Sequence, residues 1–196
     1  MLAIVTIACA FGASARGGYV GGSLGFAHES DSWGSTNHFS ILPEVGYKFN
    51  NKWAIGTTIG YDYTHYCGED MSTHVFQLEP YARFTFFRTS NNLVNLFVDG
   101  GLGIGVGSIS YRSYSYDYDS AWGILPNDER ETMTIFSVGF TPGIAVNLTE
   151  KFSLVAHIGF LGYRGGDSAA IEGGLARFGG LSLDASDIKF GFYYNF

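Results

Sequence analysis

His38, Ser40 and Glu44 are the residue types of a hydrolytic triad, in which an acid orients a histidine that activates a serine. Their spacing works against that chemistry. On an extended chain, residues 38 and 44 lie roughly 20 Å apart at about 3.3 Å per residue, too far for a direct hydrogen bond. His65, Cys67, Glu69, Asp70 and His74 are types that ligate zinc or copper, but no tetrahedral ligand spacing joins them. His157 has no partner at a telling spacing. No catalytic, metal or cofactor-binding residue is assigned on this basis, no cofactor is expected, and the chain is not read as an enzyme.

The elements that must carry these residues follow from composition and periodicity. The chain has 196 residues, 46% of them apolar, 17% aromatic and only 15% charged, with 28 glycines and a net charge of -7. That balance argues against disorder, and the negative charge argues against nucleic-acid binding. The longest apolar run, residues 1–11, is about half of the roughly 20 residues that a membrane helix needs. A soluble β-protein or a closed membrane-spanning barrel remains.

Alternation with period two recurs in eight segments. One sets Trp53, Ile55, Thr57, Ile59, Tyr61 and Tyr63 against Ala54, Gly56, Thr58, Gly60, Asp62 and Thr64. Another sets Leu96, Val98, Leu102, Ile104 and Val106 against Phe97, Asp99, Gly101, Gly103, Gly105 and Gly107. A seventh carries Phe152, Leu154, Ala156, Ile158 and Phe160 on its apolar face, backed by Ser153, Val155, His157, Gly159 and Leu161. Runs of about ten residues suit a tilted transmembrane strand. The even-numbered strands repeat a proline at equivalent positions, Pro43, Pro80 and Pro142. Proline removes a ladder donor, so bulges are expected at all three. Short turns at 50–52, 88–92 and 148–151 alternate with long connections at 29–36, 67–73, about 112–130 and 164–185, the pattern of outer-membrane barrels. Tyr111, Tyr114, Tyr116 and Tyr118 suggest that the fifth strand continues past the membrane as a rim.

A soluble lipocalin-type barrel alternates in the same way, with its apolar face turned inward. Two features favour the membrane. Aromatics gather toward the strand ends of the apolar face (Tyr47, Phe49, Trp53, Phe84, Phe86 and Phe152 at one end; Tyr61, Tyr63 and Phe160 at the other), as interfacial girdles do. The opposite face is rich in glycine, which suits a narrow lumen that must accommodate long neighbours such as Tyr81 and Tyr193.

The chain ends Lys189-Phe190-Gly191-Phe192-Tyr193-Tyr194-Asn195-Phe196. This resembles the C-terminal β-signal of bacterial outer-membrane proteins: a polar residue, a glycine two places on, and alternating hydrophobics that lead to a terminal aromatic. Lys189, Gly191, Tyr194 and Phe196 occupy those positions, and the resemblance implies recognition by the barrel-assembly machinery. With the opening Tyr19-Val20-Gly21-Gly22-Ser23-Leu24-Gly25, the chain looks like a small porin-like outer-membrane β-barrel of the kind common in Bacteroidota, similar in architecture to the outer-membrane protein X type. The expected fold is all-β: an eight-stranded antiparallel up-and-down transmembrane barrel with short periplasmic turns and long extracellular loops.

Residues 1–15 read as a signal peptide cleaved after Ala13-Ser14-Ala15, and residues 16–196 as the barrel domain. Once the leader is removed Cys67 is the remaining cysteine, so no internal disulfide is expected. An eight-stranded barrel is just wide enough for its side chains to fill it. Glu44, Lys48, Asp62, Glu79, Arg83, Asp99, Asp187 and Lys189 fall on the lumen face and are expected to form an ion-pair network that plugs it. The role read from this is structural, in envelope integrity or in surface interaction, within the outer membrane of a Gram-negative bacterium. The alternatives are a narrow porin-like channel and, third, a lipid-modifying enzyme. Expected partners are outer-membrane lipids, the assembly machinery, and an extracellular protein or cation at the acidic loops, whose twelve acids are Glu29, Asp31, Glu69, Asp70, Asp117, Asp119, Asp128, Glu129, Glu131, Asp167, Glu172 and Asp184. The chain is expected to be a monomer.

Overall fold

The computed structural model describes residues 17–30, 34–67, 71–116, 124–172, 178–183 and 187–196. The predicted leader and its cleavage site, with Asp31, Glu69, Asp70, Asp117, Tyr118, Asp119 and Asp184, lie outside the described residues. The elements in chain order are β1 (Gly18–Ser30), β2 (Ser35–Lys48), β3 (Trp53–Cys67), β4 (Met71–Arg88), β5 (Val94–Tyr116) and β6 (Ile124–Asn147), followed by β7 (Phe152–Ile158), β8 (Phe160–Gly166), the short helix α1 (Ser168–Glu172), β9 (Phe178–Ser182) and β10 (Ile188–Asn195).

From β1 to β7 each strand pairs antiparallel with the next in sequence. β10 returns to β1 from Tyr19 opposite Asn195 to Leu24 opposite Phe190, which closes the ring. β7 and β8 both pair with β6 and form one stave; β9 and β10 continue one another as the last. The result is a closed eight-stranded barrel. No helix of the described residues is long and apolar enough to cross a membrane, so any crossing is made by strands.

Alternation assigns the faces. Phe26 is 71% exposed on the outer surface, whereas Phe97 is 2% exposed in the lumen. Lumen rings lie directly across the ladder from glycines: Tyr19 from Gly46, Tyr81 from Gly56, Phe97 from Gly143 and Tyr193 from Gly21. A Cβ at any of those four glycines would run into the ring. The bare stripe is therefore the complement of the aromatic one on the inner face of the barrel.

Three expectations need correction. The register runs straight through Pro43 and Pro80 with no bulge. Instead, residues 42–43, 79–80 and 141–142 drop out of the ladder to the following strand, the side on which the missing proline donor is felt. The register shifts between Thr85 and Phe87, and again at Gly159. Gly159 takes φ +76, a left-handed conformation that suits a bulge, and lies in the stave that faces Pro142.

The Gly159 bulge reverses the alternation of that stave. Phe160 was expected toward lipid and is 5% exposed inside, while Leu161 was expected inside and is 48% exposed outside. Finally, the long connections are largely paired strand. β5 and β6 pair from Val94–Val146 to Tyr116–Ile124, whereas β4 leaves β5 at Ser110 and β8 leaves β6 at Ile135. Past Ser110 and its partner Arg130 the two strands run on as a hairpin beyond the neighbouring described strands.

Candidate functional site

Arg83 is the centre of the lumen's lower half. β4 carries it inward two residues after Tyr81, at a level where β5 presents Asp99 and β2 presents Glu44. Its guanidinium donates to Asp99 through Nε at 2.7 Å and Nη2 at 2.7 Å, to Glu44 Oε1 at 3.3 Å and to the Tyr193 hydroxyl at 3.0 Å. Tyr193 donates in turn to Glu44 Oε2 at 2.7 Å, Tyr81 donates to Glu44 Oε1, and Tyr19 bonds Tyr81. The Phe97 ring covers the guanidinium at 4.0 Å. His157 lies 3.2 Å from Asp99 Oδ2, so it does have a partner, one that sequence spacing hid because the two are on different strands. A buried cation is tolerated only when its donors are matched by acceptors. Here two carboxylates and the Tyr193 phenol accept from Arg83, and Tyr81 and Tyr193 donate to Glu44 in turn.

The other lumen residues named from sequence separate into smaller groups. Asp62 accepts from Gln77 at 2.6 Å and lies 3.5 Å from His38, whose Nδ1 meets Thr64 Oγ1 at 3.0 Å. Asp187 pairs with Arg164 at 2.8 Å and accepts from Ser182. Lys48 sits at the short-turn mouth and donates to Asn195 Oδ1 at 2.6 Å rather than to an acid. Glu79 and Lys189 are half-buried, and among the described residues neither lies within ion-pair distance of an opposite charge. The geometry is thus one dense cluster about Arg83 and separate pairs above it, in place of one continuous network.

Toward the opposite mouth the lumen turns apolar. Val75, Ile109 and Met133 pack with Ala169 and Ala170 of α1, and Met133 and Ala170 are wholly buried. Asp167 fixes the helix by accepting from Ala170 N at 3.0 Å and from Thr134 N at 2.7 Å. Sequence reasoning missed this cap because residues 164–185 read as a polar loop; the Ala169-Ala170-Ile171 triplet was the available signal.

The triad types do not meet: Glu44 is held by tyrosines and Arg83, His38 by Asp62 and Thr64, and the Ser40 hydroxyl is buried without a hydrogen-bond partner. Of the metal-ligand types, His74 bonds Tyr61 at 2.7 Å and Cys67 accepts from Asn37 at 3.4 Å. Among the described residues no three His, Cys, Asp or Glu side chains converge on a metal position. On the projecting hairpin, Tyr111 donates to Glu131 at 3.0 Å and Glu129 at 3.1 Å, and those two carboxylates push its phenol up to about 12. Of the C-terminal signal residues, Lys189, Gly191 and Tyr194 lie on β10, and Phe196 N bonds Gly18 O at 2.9 Å on the first strand. Tyr194 and Phe196 share the outer face, with ring centroids 5.0 Å apart.

A family model described as outer membrane protein beta-barrel domain matches residues 1–196. Among solved structures, the chain is similar to Neisserial surface protein A, with 18% identity, TM-score 0.45, and 91% of this chain and 97% of that one covered. It is also similar to the N-terminal β-barrel domain of Pseudomonas aeruginosa OprF, with 15% identity, TM-score 0.41, and coverage of 92% and 98%. No curated protein sequence matches the chain.

Proposed function

Because the chain belongs to the outer membrane protein β-barrel domain family and resides in the outer membrane of a Gram-negative bacterium, we propose that it is a non-conducting barrel with a structural, envelope-integrity or surface-interaction role rather than an enzyme. The observation that carries this reading is the cluster of Arg83, Glu44, Asp99 and the three tyrosines across the tube. The apolar cap under α1 supports it from the other mouth. A solute would have to break several charge-assisted hydrogen bonds in a low-dielectric interior to pass. The surface role is supported by the projecting β5/β6 hairpin, which carries Asp128, Glu129 and Glu131 beyond the closed ring, where an extracellular protein or cation would meet them.

In this reading the protein is a monomeric porin-like barrel of the Bacteroidota kind, with the outer-membrane protein X type of architecture. Lys189, Gly191, Tyr194 and Phe196 serve as its assembly signal, and Glu44, Arg83 and Asp99 form the core of its plug. A narrow channel is the second reading. It is favoured by Glu79 and Lys189, charges in the lumen above the cluster that have no ion-pair partner among the described residues. Swelling of protein-loaded liposomes in small sugars separates the two. The plug reading expects the rate of empty liposomes, and faster swelling would overturn it. A deletion strain with unchanged permeability to detergents and unchanged binding to host surfaces would remove the envelope and surface roles.

A further inference from the structure

Below the Arg83 cluster, the lumen opens toward the short-turn end as a vestibule of about 380 Å³. Its floor is Arg83, Phe97, Asn95 and Tyr193, and the short turns form its rim. The charges on it are one-sided. Lys48, Lys52 and Arg88 face Glu150 alone, since the Arg83 charge is already matched by Asp99 and Glu44. Among the described residues, no carboxylate lies within ion-pair distance of Lys48, Lys52 or Arg88.

Two of those cations are positioned by neutral dipoles. Lys48 donates to Asn195 Oδ1 at 2.6 Å, and Arg88 Nη2 to the Asn51 carbonyl at 2.9 Å. The Asn195 carboxamide is itself held by Ser153 at 3.2 Å, and Ser153 by Asn147 at 2.8 Å. Such partners fix a cation without neutralising it. A concave, low-dielectric pocket lined by unbalanced positive charge focuses the field at its centre.

We infer that this vestibule binds a small oxyanion, a carboxylate or phosphate group presented from the periplasm. Lys48, Lys52 and Arg88 supply both the charge and the donors. The volume suits a compact ligand or the acidic end of a larger one. The site does not depend on whether the lumen above it conducts, because the cations line the mouth and not the passage.

Calorimetric titration of the mature barrel in zwitterionic detergent micelles tests this, with inorganic phosphate in one arm and N-acetylglycinate in the other. Saturable binding of either probe is expected, and the probe that saturates identifies the oxyanion. Lys48→Gln and Lys52→Gln should each weaken it at least tenfold. Lys151→Gln should leave it unchanged, as that turn lysine does not line the vestibule. Should Lys48→Gln fail to fold for want of the Asn195 bond, Lys52→Gln decides, because its exposed side chain makes no contact that the barrel needs. A non-saturating response to both probes would overturn the inference, as would Lys52→Gln behaving like Lys151→Gln.

Discussion

Replacing Arg83 by Met keeps an unbranched apolar stem and removes the guanidinium with its charge. The guanidinium makes four hydrogen bonds to Asp99, Glu44 and Tyr193. At about 1.5–3 kcal/mol net for each bond to a charged group, four independent bonds would contribute about 6–12 kcal/mol, an upper bound because one guanidinium shares them. That figure is already net of lost hydration, whose cost is several kcal/mol for a buried cation. The variant recovers the desolvation cost but leaves Glu44 and Asp99 at 5% and 7% exposure without their cation. Removing one partner of such a buried set typically costs about 3–5 kcal/mol, and that is the expected loss. The assay is reversible urea unfolding in lipid vesicles, followed by heat-modifiable migration on a gel. The triple variant Arg83→Met/Glu44→Gln/Asp99→Asn should regain part of the loss, because no uncompensated charge stays buried. A loss under about 1 kcal/mol for Arg83→Met would refute the reasoning, since it would mean that water reaches the two carboxylates.

Three further outcomes follow from the geometry. Gly56→Val drives a side chain into the Tyr81 ring and should cost about 1–3 kcal/mol by overpacking, whereas Gly179→Ala, whose added carbon would meet only Tyr163 at 3.6 Å, should be close to neutral in the same unfolding assay. In a background with Cys67 replaced by Ser, a spin label at position 161 should show high collision rates with lipid-soluble oxygen, and one at position 160 low rates; the reverse order would restore uninterrupted alternation through Gly159. Phe196→Ala should slow assembly into vesicles catalysed by purified barrel-assembly machinery while leaving detergent refolding unchanged, and equal assembly rates would remove the C-terminal residues from recognition.

The alternation that defines the barrel was legible because a strand presents successive side chains to opposite faces, and lipid and lumen impose opposite demands on them. The crowded lumen was legible too: glycine on the face that also carries Tyr81 and Tyr193 has a purpose only where rings need room. The Gly159 slip was not legible. Phe160 and Leu161 are both apolar, so either phase reads as a sound strand, and the bulge is fixed by the ladder with β6 rather than by local residues. The prolines misled for a related reason. An unmade donor can be absorbed by omitting pairs on one side, and whether the chain then adds a residue depends on its neighbour.

Phase assigns the charged residues to one face of the sheet, but it does not give their partners. Phase gives the side of the sheet; the level along the barrel comes from cross-strand register. Hence His157 was left without a partner although it faces Asp99, and Lys48 was grouped with a network that it does not enter.

The central claim is that the Arg83 cluster closes the lumen. Planar-bilayer recording with the purified mature protein tests it most directly. The account predicts a baseline indistinguishable from protein-free membrane across applied voltages of either sign. Stable, repeated current steps of one unit size would contradict it.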